Sequence, residues 1–162
     1  VAELPRSVRV AILGNLSPEK GLHVVAACAR DAHERHLPLT FRVLGSTTEP
    51  IAQAPDAPLT IYGQYGEGEL PKLIAAEQPD VLLFAAQVPE TYAYTMSVAL
   101  ESGLPIVASA LGAFPERLAG VPRSTTVPWD APAARWNDAL FAAAGGLQRS
   151  VAATPARTTA AV

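Results

Sequence analysis

Two stretches carry residues whose types and spacing suit chemistry on an anion. In the first, Glu90 and Thr91 lie at the mouth of a segment with Tyr92, Met96, Ala99 and Leu100 near the spacing of a buried helical stripe. A helix N-terminus offers unpaired backbone N–H groups and the positive end of a dipole, so this mouth suits an anion such as a diphosphate. In the second, Lys20 follows the run Ile12-Leu13-Gly14-Asn15. A lysine there offers an anion a point positive charge. On spacing alone each has a plainer reading: one more strand-loop-helix unit for the first, a solvated first-turn lysine for the second. The run Gly63-Gln64-Tyr65-Gly66 is a third place of interest, or simply a glycine-rich turn. Neither it nor 12–21 spells a dinucleotide fingerprint or a P-loop. His33 and His36 stand i, i+3 with no third ligand at metal-binding spacing, so a solvated face is expected there and no metal. No Ser-His-Asp or Cys-His arrangement is legible.

The elements that must position these residues alternate strand and helix. Residues 8–13 read as a strand ending at Gly14-Asn15. Ser17 is placed to cap a helix with Pro18 at its first position, and Leu22, Val25, Ala26, Ala29 and Ala32 or His33 form its buried stripe. Strands follow at 41–45 and 59–62, joined by a Pro/Thr/Ser-rich loop at 46–58. A helix from about Glu69 takes Pro71 in its first turn. Then come a strand at 80–85, the helix opened by Glu90, and a strand at 106–108. Gly103 stands where a left-handed helix end favours glycine, with Pro105 two residues on. A short helix at 114–118, a strand at 124–127 and a helix at 131–144, with Trp136 and Leu140 inward, complete the pattern. Residues 1–146 are read as one domain and the Ala/Thr/Arg-rich 147–162 as a disordered tail. The connections suit parallel crossovers, which gives an α/β fold: a doubly wound, Rossmann-like parallel sheet of order 3-2-1-4-5-6. Its ligand crevice would lie at the carboxyl ends of the strands, at Gly14-Asn15, Gly45, Gly63-Gln64, 87–90 and Ser109.

Composition agrees with a single domain. The chain has 162 residues, enough for a full α/β core. Hydrophobic content is 49%, but no apolar run is long enough for a membrane span. The net charge of −3 comes without a basic block, which disfavours nucleic acid and anionic membrane as partners. Cys28 is the single cysteine, which suits a reducing cytoplasm and a buried place in an apolar helix. The chain opens at Val1 with neither an initiator Met nor a secretory leader and is expected to be part of something longer.

The wording of residues 89–112 resembles the donor-binding signature of retaining nucleotide-sugar glycosyltransferases of the GT-B fold (GT4 type, glycosyl transferases group 1). That signature is a Glu, seven residues, a second Glu, then a Gly-x-Pro-Val-Val-Ala turn and strand. Glu90 takes the first acidic position and Gly103-Leu104-Pro105-Ile106-Val107-Ala108 the turn and strand, while Val98 takes the second acidic position. The run 12–21 is similar to the family's Gly-Arg…Lys-Gly loop: Gly14 and Lys20 match, and Asn15 replaces the Arg. Gly112-Ala113-Phe114-Pro115-Glu116 resembles the Gly-Gly-x-Pro-Glu turn that follows.

The resemblance implies the C-terminal, donor-binding half of a two-domain transferase that moves a sugar from a nucleotide-diphosphate sugar to an acceptor with retained configuration. It implies Lys20 as the residue stabilising the diphosphate and Glu90 as the residue orienting the sugar. It implies Gly14, Asn15, Gln64, Tyr65, Thr91, Tyr92, Ala93, Tyr94, Thr95 and Val98 around the donor, with Gln64 or Tyr65 at the base or sugar. Val98 cannot accept the ribose hydroxyls that a Glu would. Backbone groups or Glu101, one turn on, are alternatives, as is a weakened copy of the site. No metal or other cofactor is implied. The partners are a nucleotide sugar and an N-terminal acceptor-binding half, without which the piece alone is expected to be inactive. The family's usual employment is surface polysaccharide synthesis in the cytoplasm, with attachment to the inner membrane through the other half as an open option. The alternative is a non-catalytic nucleotide-binding module, and a further one is a Rossmann-like domain for a dinucleotide.

Overall fold

The computed structural model describes residues 7–51, 58–66, 68–90 and 94–145. Its centre is a six-stranded parallel sheet of order β3-β2-β1-β4-β5-β6, the order expected from the sequence. The strands are β1 (Val8–Leu13), β2 (Leu39–Leu44), β3 (Leu59–Ile61), β4 (Val81–Phe84), β5 (Ile106–Ser109) and β6 (Thr125–Val127). The helices are α1 (Leu22–Glu34), α2 (Leu70–Glu77), α3 (Tyr94–Ser102), α4 (Phe114–Leu118) and α5 (Ala133–Ala143). No helix among the described residues is long and apolar enough to cross a membrane.

The burial pattern explains the layering. β4 and β5 are buried at every position because helices cover both faces of the middle of the sheet. One face, with Val10, Ile12, Phe41, Val43, Leu83 and Val107, packs on α1 and α5. The other, with Ala11, Leu44, Leu82, Ile106 and Ala108, packs on α2, α3 and α4. Each such Val, Leu or Ile contributes about 1.5–3 kcal/mol through the apolar area it removes from water.

On the α2 side, β2 and β3 are only partly covered. Thr40 and Thr60 are exposed there and Arg42 half-buried. Arg42 donates from Nε to Glu77 Oε1 at 3.0 Å and from Nη1 to Thr60 Oγ1 at 3.0 Å, and lies 5.6 Å from the centre of the Tyr62 ring.

The first helix begins later than the capping signal suggests. Ser17 does cap, accepting from Lys20 N–H at 3.3 Å with Pro18 following, but what it caps is a 3-10 turn over Pro18–Lys20. Gly21 interrupts the helix with φ 100°, and α1 starts at Leu22. A Cβ on Gly21 would sit 2.2 Å from the Ala85 carbonyl oxygen, so the turn is pressed onto the end of β4. Along α1 the buried stripe is Leu22, Val25, Cys28, Ala29 and Ala32, while His33 is exposed. Burial, with the Asp31 charge as a lesser cause, pushes the Cys28 thiol up to about 12 and leaves it inert.

Candidate active site

The crevice is assembled from strand ends. After β1 the chain reverses at Gly14, whose φ is 96°. Gly14 N–H donates to Leu44 O at 3.0 Å, and Leu16 N–H to Ser46 O at 2.7 Å, which zips the ends of β1 and β2 together. Gly45 admits this approach, since a Cβ there would lie 2.0 Å from Gly14 O. The first turn of α3 closes on the same point, where a Cβ on Gly14 would come within 3.2 Å of Thr95 Cγ2. Among the described residues α3 thus begins, at Tyr94 and Thr95, beside the end of β1.

A cavity of about 260 Å³ opens beside Gly14, lined by Asn15, Gly45, Ser46, Gln64 and Tyr65. Asn15 Oδ1 accepts from the Ser46 hydroxyl at 2.8 Å, which turns its amide N–H₂ outward. Burial pushes the Tyr65 phenol up, the neighbouring Tyr94 adding to it. Tyr94 itself is exposed.

On the β4 side, Lys20 Nζ pairs with Glu90 Oε1, although the two residues are 70 positions apart in sequence. The Lys20 side chain is 50% exposed and that of Glu90 17%. Backbone holds both: Gln87 N–H donates to Glu19 O at 2.7 Å, and Ala113 N–H to Glu90 O at 2.9 Å. Gly112, with φ 58°, lets the loop after β5 lie on Glu90, because a Cβ there would be 2.5 Å from Glu90 N and O.

Two residues that the sequence placed at strand ends of the crevice, without a role, turn out to position it. The fully buried Ser109 donates from Oγ to Ala86 O at 2.6 Å, fixing the strand end that leads to Glu90. Gln87 donates from Nε2 to Ala85 O and Trp129 O, each at 3.0 Å. Ser109 ends β5 and Gln87 lies three residues after β4, and this place at a strand end was the one local signal available.

The structure thus gathers Gly14, Asn15, Gln64 and Tyr65 around one cavity, sets Tyr94 and Thr95 beside it, and joins Lys20 to Glu90. Thr91, Tyr92 and Ala93 lie outside the described residues. Val98 is buried in the apolar cluster and faces a separate cavity of about 190 Å³ between α2 and α3, shared with Pro71, Ile74, Glu101 and Ser102. Among the described residues no group of three or more His, Cys, Asp or Glu is placed to hold a metal ion.

No family model and no curated protein matches the chain. Solved structures do. The C-terminal domain of LpcC, a glycosyl transferase group 1 family protein from Francisella tularensis, superposes with a TM-score of 0.62 at 16% identity, over 85% of this chain and 75% of that one. Anabaena Alr3699/HepE in complex with UDP-glucose gives 0.64 at 17% identity, over 96% of this chain and 49% of that one. AviGT4, a glycosyltransferase involved in avilamycin A biosynthesis, gives 0.61 at 20% identity, over 83% and 42%. The present chain therefore spans half or less of the length of these last two transferases. The fold is that of the C-terminal domain of GT-B glycosyltransferases.

Proposed function

We propose that the chain is the donor-binding half of a retaining glycosyltransferase of the GT4 type, acting on a nucleotide-diphosphate sugar. The observation that carries this reading is the convergence of Lys20 and Glu90 after β1 and β4, on the carboxyl-end side of the sheet where the cavity of Gly14, Asn15, Gln64 and Tyr65 also opens. A doubly wound sheet takes its ligand where the strand order reverses, which here is between β1 and β4. Along that edge the cavity after β1, β2 and β3 takes the nucleoside. Gly14, Thr95 and the α3 amides flank the diphosphate, and Lys20 and Glu90 meet its sugar end.

In this mechanism Lys20 stabilises the negative charge that grows on the departing diphosphate, and the α3 amides share it. Glu90 accepts hydrogen bonds from sugar hydroxyls and fixes the sugar for attack. No metal or other cofactor enters, and the acceptor is bound by a second half. The complete protein is placed in the cytoplasm, in surface polysaccharide synthesis; the buried, unbridged Cys28 fits a reducing compartment. A non-catalytic nucleotide-binding module is the second reading, favoured by Val98, which sits in the apolar core without a hydrogen-bonding group.

Calorimetric titration of the chain with UDP, GDP and ADP tests the donor site. One nucleotide is expected to bind, and Lys20→Ala is expected to weaken it about tenfold, the scale of one charge-assisted phosphate contact. Binding that is indifferent to Lys20→Ala would remove Lys20 from the site. Full transferase activity of the complete protein carrying Lys20→Ala or Glu90→Ala would end the catalytic assignment.

A further inference from the structure

Lys20 and Glu90 form an ion pair, so the two groups assigned to the diphosphate and to the sugar next to it are also partners of each other. Their settings differ. Lys20 is half-exposed and can swing to another anion, whereas Glu90 is 17% exposed and its backbone is clamped by Ala113 N–H and by Gly112. A diphosphate draws Lys20 more strongly than one carboxylate does, because it presents more charge and more acceptor oxygens. Glu90 then stays behind, largely shielded from water and stripped of its counterion. A buried acceptor left without a donor is costly. Sugar hydroxyls are donors, and they are the part of the ligand that would stand beside Glu90.

We infer that the Lys20–Glu90 pair is an exchange device: the donor's diphosphate takes Lys20, its sugar hydroxyls take Glu90, and a nucleoside diphosphate lacking the sugar strands Glu90. The device rests on the donor-site reading above and adds a consequence that reading does not contain. Glu90 works against retention of the nucleoside diphosphate product as well as for the sugar. Loss of the sugar at transfer leaves the carboxylate to reclaim Lys20 and help expel the product.

The test compares the native chain with Glu90→Gln and Glu90→Asp by titration with UDP and UDP-glucose, or the GDP and ADP counterparts if one of those nucleotides binds instead. Glu90→Gln keeps the shape and removes the charge. It is expected to bind the nucleoside diphosphate about fivefold tighter, the scale of one partly exposed ion pair removed from competition. Its preference for the sugar nucleotide over the nucleoside diphosphate is expected to fall by at least that factor. Glu90→Asp keeps the charge and should stay near the native chain in nucleoside diphosphate affinity; a Gln-like gain there would overturn the exchange. Acylation of Lys20 by a succinimidyl ester, mapped by mass spectrometry without any nucleotide, should be faster in Glu90→Gln, which reports the pair itself. A native chain that binds a nucleotide, with Glu90→Gln binding it equally or more weakly, overturns the exchange and leaves the donor site standing. A native chain that binds none of the three nucleotides overturns both.

Discussion

Asn15 shows how one side chain sets the strength of a phosphate site. Its oxygen is taken by Ser46, so the outward amide N–H₂ supplies hydrogen bonds and no charge. An Arg at this position would add a planar cation suited to bidentate phosphate contact. Asn15→Arg is therefore expected to tighten nucleoside diphosphate binding about tenfold at low salt, and the gain should shrink as salt screens it. Titration of both forms at two salt concentrations checks this. A gain that does not depend on salt would mean that the new side chain acts by packing and not by charge. The sequence pointed to Asn15, Lys20, Gln64 and Tyr65 through the resemblance of their loops to a donor-binding signature, since on spacing alone each had a plainer reading. Ser109 and Gln87 were placed only as strand ends, and their hydrogen bonds were not legible, because the carbonyls that they meet are presented by a different strand or loop. Val98 shows the opposite limit. Its place in the motif pointed at the ligand, and its position in the fold is set by the apolar contact of α3 with α2.

Between elements, the site depends on loops that lie backbone to backbone, and glycine decides where that is possible. Gly112 and Gly120 separate the two costs of replacing such a glycine. Both have positive φ, 58° and 78°, but a Cβ on Gly112 would strike Glu90 backbone while one on Gly120 meets open space. Gly120→Ala is expected to cost about 1 kcal/mol, the price of a left-handed conformation alone. Gly112→Ala carries the same strain plus displacement of Glu90, and is expected to cost about 2–4 kcal/mol. Only Gly112→Ala should also weaken sugar-nucleotide binding. Urea unfolding and titration of the two variants check both statements. Equal losses in the two would show that the loop after β5 yields without moving Glu90. The same principle explains why the start of α1 was misplaced in the sequence reading. Ser17 and Pro18 carry a true cap signal, but the Gly21 break answers to the tight contact with Ala85 just after β4, which local spacing does not contain.

Across the whole molecule, alternation with right-handed parallel crossovers called for a doubly wound sheet, and the simplest Rossmann-like order for it is the one found. What alternation does not reveal is how the last helix is held to the first. Asn137 in α5 is fully buried, and its amide donates to Cys28 O and to Asp31 Oδ2, each at 2.9 Å. A polar residue in a helix pattern reads as a solvent position until its partner helix is known. Asp31 gathers this junction: Arg35 donates to it at 2.7 Å, and Asn137 reaches it from the other helix. The Arg35 hydrogen bonds, with help from Asn137 and the Arg35 charge, hold the Asp31 carboxyl below its usual range. A carboxyl whose folded pKa lies below its unfolded one binds protons more readily when unfolded, so its contribution to stability is full above the ordinary carboxylate pKa. That contribution is lost as pH falls through the lowered folded value. Asp31→Asn removes the titrating group while keeping much of the shape. The urea midpoint of the native chain is expected to fall between about pH 6 and about pH 3, and that of Asp31→Asn to fall less over the same span. The variant should be the less stable form at neutral pH and approach the native chain in acid. Parallel pH curves for the two would mean that the α1–α5 junction is held by apolar packing alone, with Asp31 a spectator at its edge.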